Sequence, residues 1–179
     1  MHRKLIYYGN PLLRKKSEEI KEITDETRQL AKEMIEVMDR THGVGLAAVQ
    51  IGVLLRIFVC NIAREPSPDG AYVIEKPKVY INPVVTILDD TQWVDSEGCL
   101  SIPKLYEEVP RPTKIRVEAL DEWGKPFAEE REGWAARPIL HENDHLNGVL
   151  FFDRIPEHRK KALQPQLKKI KKQYHQSTH

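Results

Sequence analysis

Five residues restrict this chain more than any others: His141-Glu142-Asn143-Asp144-His145. Residues four apart lie on one face of an α-helix. If the segment is helical, His141 and His145 offer two imidazoles to a single metal ion. Glu142 falls partly around the helix, beside the open side of such an ion. There a carboxylate can take a proton from water and return it. The H-E-x-x-H pattern is a signature of metal hydrolases. The alternative is two solvated histidines with a chance glutamate between them.

A catalytic ion of this type usually has three protein ligands. The metzincin pattern would place Gly at 148 and His at 151. Gly148 is present, but position 151 is Phe151. The thermolysin-like solution takes a glutamate from a following helix, and no Asp or Glu follows Glu157. A peptidase reading therefore lacks its third ligand. The best remaining candidate lies upstream, Cys99 in Glu97-Gly98-Cys99-Leu100-Ser101. A further alternative is a closed structural site of Cys60, Cys99, His141 and His145. Cys60 ends an apolar strand, which favours a plain core cysteine.

At 179 residues, 40% hydrophobic and 31% charged, the chain suits one soluble globular domain. No apolar run approaches the ~20 residues that span a bilayer, so no membrane role is expected. Met1-His2-Arg3-Lys4 does not lead into a secretory signal. Two cysteines are too few for a disulfide scaffold. A thiolate ligand suits a reducing compartment, and a cytoplasmic location is expected.

Periodicity predicts a first helix over about 25–40, capped by Thr24 or Asp25, with Leu30, Met34, Val37 and Met38 buried. Gly43 to Gly52 holds three glycines and two alanines, so another backbone can approach closely there. Gln50, a polar amide closing that stretch, needs a partner. Strands are expected at 54–60, 72–74 and 79–88, the last interrupted at Asn82-Pro83, with a polar loop at 61–70. A hairpin joins 113–120 to 126–131 through Asp121-Glu122-Trp123-Gly124. Pro138 is tolerated only in a first turn. The metal-motif helix should therefore start at Ala136 or Arg137, and it should end at Asn147-Gly148.

Gly43-Val44-Gly45-Leu46-Ala47-Ala48-Val49-Gln50, Glu97-Gly98-Cys99-Leu100-Ser101 and His141-Glu142-Asn143-Asp144-His145-Leu146 stand in that order. Together they closely resemble peptide deformylases, over most of the chain, from the Tyr-Gly-Asn-Pro-Leu-Leu-Arg segment to Phe152. The motif spacing and long tail look like the Gram-negative-type branch. The resemblance implies an α+β fold, with antiparallel sheets packed around the metal-binding helix. It implies an enzyme that removes the N-formyl group from the initiator methionine of nascent proteins. By resemblance, Cys99, His141 and His145 bind one divalent metal, usually Fe²⁺, with Zn²⁺, Ni²⁺ or Co²⁺ able to replace it. Glu142 is the general acid/base, while Gln50 and the Leu100 backbone N–H hold the oxyanion. Gly45 pairs with the substrate backbone and Val44 lines the methionine pocket. Leu140, where many members carry Gln, and Pro138 depart from the commoner pattern. The chain is expected to act as a monomer, with residues 1–156 as the catalytic domain and 157–179 as a basic helical tail.

Charge sets that tail apart. Seven of the 28 Lys and Arg residues lie between His158 and His179, where there is no acid. The remaining 21 face 27 acids, which leaves residues 1–157 at −6. Leu163, Leu167, Ile170 and Tyr174 mark one helical face over about 157–173. Pro165 predicts a kink, or a division at Gln164. Such tails in the family are associated with the ribosome, which makes ribosomal RNA the expected polyanionic partner. The alternative is a solvated helix face. Finally, Glu97 and Arg111 are expected to pair and steady the cysteine loop.

Overall fold

The computed structural model describes residues 3–62 and 76–175. The expected loop at 61–70, apart from its first two residues, and the strand at 72–74 lie outside them. The first helix, α1, spans Asp25–Arg40 as its periodicity predicts. The Thr24 backbone N–H donates to Thr27 Oγ1 at 3.3 Å, closing the N-terminal turn. Leu30, Met34, Val37 and Met38 are buried, so the methionines serve packing.

Among the described residues five strands follow: β1 (Gly45–Ala47), β2 (Ile57–Cys60), β3 (Lys78–Cys99), β4 (Ile102–Leu120) and β5 (Pro126–Glu132). They form one antiparallel sheet in sequence order. β3 and β4 run well beyond the 79–88 and 113–120 segments that alternation marks. Polar and prolyl residues break the alternation in their middles, where the pairing shifts register between Ile87 and Gln92. Asn82-Pro83 does not end β3. It is absorbed as an irregularity between Ile81 and Val84, with Asn82 at φ +50°. The Asn82 amide binds both the N–H and the carbonyl of Ile20, at 2.9 and 2.8 Å, and so holds this backbone in place.

The metal-motif helix, α2, spans Ala136–Leu146, with Pro138 in its first turn. Every residue of α2 except Asn143 is buried. That makes it the centre of the molecule, between the sheet and the segment 150–155. Asn147 and Gly148 end it, with Gly148 at φ +71°. A side chain at Gly148 would lie 2.5 Å from the Arg14 carbonyl oxygen, so the stop also admits a neighbouring backbone.

The last helix, α3, spans Glu157–His175 with Pro165 inside it, so of the two outcomes expected there, a kink or a division at Gln164, the division does not occur. Pro165 removes one backbone hydrogen bond. The apolar face compensates: Leu163, Leu167 and Ile170 are buried against Ile102, Leu105, Phe151 and Phe152. Tyr174 stacks on Tyr7 with ring centroids 4.2 Å apart. Tertiary packing thus overrides the local cost. Residues 5–8 are not a strand, although they are apolar. They strap the site instead, with the Ile6 N–H on the Gln50 carbonyl and the Tyr8 N–H on the Ser101 carbonyl, both at 2.8 Å.

Candidate metal centre and active site

The helical spacing of α2 brings His141 and His145 together, ring centroids 5.0 Å apart. Cys99 arrives from the end of β3, where the turn Leu100–Ser101 leads into β4. Cys99, His141 and His145 each offer one ligand atom, and these atoms all lie within 4.8 Å of one another. Cys99 Sγ is 3.3 Å from His145 Nε2. Thiolate and imidazole bonds of about 2.3 and 2.0 Å at tetrahedral angles put such atoms roughly 3.5 Å apart. The donor set therefore fits a divalent ion that accepts sulfur and nitrogen. Cys60 is not in this group. It is fully buried at the end of β2, and burial pushes its thiol pKa up. The closed four-ligand alternative is therefore not assembled.

A buried ion-pair network holds the centre. Glu97 accepts from Arg111 Nε and Nη2 at 2.8 Å each, as expected, and also from Arg137 Nη1 at 2.8 Å. Its other contact is His141 Nδ1 at 2.7 Å. A carboxylate there fixes the tautomer: Nδ1 carries the proton, and Nε2 is left free for a ligand bond. Arg111 continues to Asp144 Oδ2 at 2.6 Å, and Arg154 binds the same carboxylate from outside. Burial opposes the charge on Glu97, but its Arg111 and His141 hydrogen bonds outweigh it and hold the carboxyl well below the usual range. Burial likewise opposes charge on His141, yet its bonds to Cys99 and Glu97 raise its pKa. His145 is lowered, first by burial and then by the charges of His141 and Arg111.

Glu142 points away from that network. It is 4% exposed, and its Oε2 has no hydrogen-bond partner among the described residues. Burial, partly offset by the charge on His141, pushes its pKa up to about 7. β1 makes room for it. A Cβ built on Gly45 would sit 2.5 Å from Glu142 Oε1.

Gln50 closes the other side. Its Oε1 accepts the Ala47 N–H at 2.8 Å, so its Nε2 faces outward. That amide nitrogen reaches Ser101 Oγ at 3.2 Å and Cys99 Sγ at 3.5 Å. These contacts are the partner its burial demanded. The residues surround a cleft of about 450 Å³. Val44, Gly45, Gln50, Leu100, His141 and Glu142 all line it, while His145 is sealed beneath. β1 is the edge of the sheet, and register alternation turns the Gly45 N–H and carbonyl away from β2.

Sequence reasoning missed Arg137, Asp144, Arg154 and the Ser101 contact. Arg137 lies four residues before His141, so the spacing that found His145 also places Arg137 on that face. A charged residue in a helix meant to be buried needs partners. That signal pointed to Asp144 as well.

A family model described as polypeptide deformylase matches residues 2–161. The peptide deformylase of Pseudothermotoga lettingae is 40% identical over 173 residues, covering 97% of this chain and 94% of its own length. That of Fusobacterium nucleatum is 41% identical, covering 95% and 93%. The crystal structure of a plant peptide deformylase has a TM-score of 0.86 at 34% identity, over 98% of this chain and 92% of that one. The Thermus thermophilus peptide deformylase has a TM-score of 0.82 at 38% identity, over 94% and 97%. Fold, motif order and similarity over nearly the whole length agree, and the chain belongs to the peptide deformylase family.

Proposed function

We infer that this peptide deformylase removes the formyl group from the N-terminal methionine of newly made proteins at the cleft between β1, the β3–β4 turn and α2. Cys99, His141 and His145 are read as the metal ligands. The observation that carries this is the meeting of one thiol and two imidazoles beside a buried carboxylate, Glu142, whose Oε2 has no partner among the described residues. Fe²⁺ is our choice of ion, with Zn²⁺, Ni²⁺ or Co²⁺ able to replace it, because a thiolate with two imidazoles accepts several divalent metals.

When bound, the ion supplies Lewis acidity, polarising the formyl carbonyl and easing deprotonation of water near neutral pH. Glu142 takes the proton from water and returns it to the departing amine. Gln50 Nε2 and the Leu100 N–H donate to the carbonyl oxygen as it gains charge. The free backbone groups of Gly45 pair with the substrate chain, and Val44 borders the methionine side chain. Glu97 keeps His141 in the ligating tautomer, and the strap of residues 5–8 holds Gln50 and Ser101 at fixed separation. The purified holoenzyme should release formate from formyl-Met-Ala and leave internal peptide bonds intact. Cleavage of internal bonds instead would support the peptidase alternative.

Gln50→Ala should lower turnover by about 10²–10³-fold with little change in the Michaelis constant, because the oxyanion exists only along the reaction path. A change confined to the Michaelis constant would make Gln50 a ground-state binding group.

Residues 1–156 are read as the catalytic domain and 157–179 as an appended basic helix. Lys161, Lys168, Lys169, Lys171 and Lys172 are all exposed on α3, the first three and Lys172 away from its docked face and Lys171 at its flank, with its stem against Gly9. They suit phosphate contacts with ribosomal RNA, made without reading sequence. Neutralising these five lysines to Gln should leave formyl-Met-Ala hydrolysis near normal and abolish ribosome co-sedimentation. Wild-type co-sedimentation should also fall steeply with salt. Retained pelleting by the Gln variant would reduce α3 to a structural cap. No helix among the described residues is long and apolar enough to cross a membrane.

A further inference from the structure

The mouth of the cleft has a charge pattern that formyl removal does not require. Among the described residues two acids line the cleft, Glu97 and Glu142, and both are buried. Lys104 and His42 also line it, and both are exposed. Lys104 is the third residue of β4, and His42 lies just before β1.

Both residues have unusual backbones. Lys104 has φ +62° and His42 has φ +55°. Among the described non-glycine residues, the left-handed region holds just one other, Asn82, whose side chain is locked to Ile20. A left-handed residue that is neither Gly nor Asn costs of order 1 kcal/mol and persists where the surroundings demand it. Glycine would fit either position without that strain, but would bring no side chain to the cleft.

A peptide lying on the free edge of β1 reaches these residues. Gly45 borders Glu142, and Ala47 is held by Gln50. A chain whose formyl end lies there leaves along Gly45, Val44, Gly43 and His42, antiparallel to β1. At about 3.3 Å per residue, two to four residues bring it level with His42.

We propose that Lys104, assisted by His42, makes this deformylase favour substrates with an acidic residue two to four positions after the formyl-methionine. The inference rests on the proposed activity and deepens it. An exposed charge pair is weak and screened by salt, so the expected preference is roughly two- to fivefold at low ionic strength. It should appear in the Michaelis constant, because the charge lies far from the reacting carbonyl.

The test uses metal-loaded, full-length protein and three C-terminally amidated peptides: formyl-Met-Ala-Asp, formyl-Met-Ala-Ser and formyl-Met-Ala-Lys, each extended by one alanine. Hydrolysis of the Ser peptide reports the activity itself, and the Asp-to-Lys ratio of kcat/KM reports the preference. The wild type should favour Asp through KM, and the ratio should fall towards one at 0.5 M salt. Lys104→Glu should invert the ratio and Lys104→Arg should preserve it. Lys104→Gly, which relieves the backbone strain and so keeps the fold accessible, should abolish most of it. A wild-type ratio of one, or an unchanged ratio in Lys104→Glu or Lys104→Gly, overturns the proposal while leaving the deformylase reading intact. Failure to hydrolyse the Ser peptide strikes that reading instead.

Discussion

Glu142→Gln should retain its metal and lose turnover by about 10²–10⁴-fold, the usual scale for a lost general acid/base. The amide keeps the shape of the side chain, so it still fits the space that Gly45 leaves, but it cannot take a proton. The site surrenders nothing in packing, so the loss should fall on kcat. Metal content, measured alongside kcat, separates the two roles a carboxylate could have here. A fully metallated Glu142→Gln protein with near-normal turnover would rule out Glu142 as the proton carrier. Gly45→Ala is a check from the opposite wall: its Cβ would meet Glu142 Oε1 at 2.5 Å, and the carboxylate must move. Its turnover should therefore drop without any change in the groups that react.

Glu97→Ala should be the most damaging change to stability. It removes one carboxylate from among Arg111, Arg137 and His141, all buried. Breaking a buried ion pair from one side costs about 3–5 kcal/mol, because the remaining charges keep their desolvation cost. For a chain of this size that lowers Tm by roughly 6–20 °C. His141 also loses the acceptor that fixes its tautomer, so metal affinity should fall about 10–100-fold. The pH dependence has a definite sign. The Glu97 carboxyl titrates well below its ordinary value in the folded chain. Its contribution is therefore present above the ordinary carboxylate pKa, about 4.3, and is lost only as pH falls from there towards the depressed value. Thermal melts from pH 7 down to pH 2 should show that loss in the wild type and not in Glu97→Ala. A Glu97→Ala protein with unchanged Tm and metal affinity would mean the network is incidental.

Much of this was legible in the chain because spacing alone determines it. Period-3.6 patterning places α1 from Asp25 to Arg40. The H-E-x-x-H spacing unites His141 with His145, and Pro138 marks the start of α2. The Glu97–Arg111 pair also followed, from a carboxylate two residues before a candidate ligand. What escaped was set by tertiary contact. Alternation fails in the middle of β3, where residues 86–92 are exposed on both faces and the register against β4 slips, so both strands look shorter than they are. The sequence allows a division at Pro165 because it does not show how firmly Leu163, Leu167 and Ile170 dock. The apolar run at 5–8 donates its Ile6 and Tyr8 N–H groups to the carbonyls of Gln50 and Ser101, which no local pattern predicts. The depth of the ion network was hidden for the same reason. Arg137 and Asp144 are ordinary surface residue types until the helix that carries them is known to be central, and Arg154 reaches that network from the segment beyond it.

The account rests on three donors holding one ion with a side left open beside Glu142. Anomalous diffraction at the metal edge, on crystals of the metal-loaded protein, tests this directly. The prediction is a single ion at about 2.0–2.3 Å from Cys99 Sγ, His141 Nε2 and His145 Nε2, with no fourth protein ligand. An ion bound elsewhere, or one whose fourth ligand is a protein side chain such as Cys60, would contradict it.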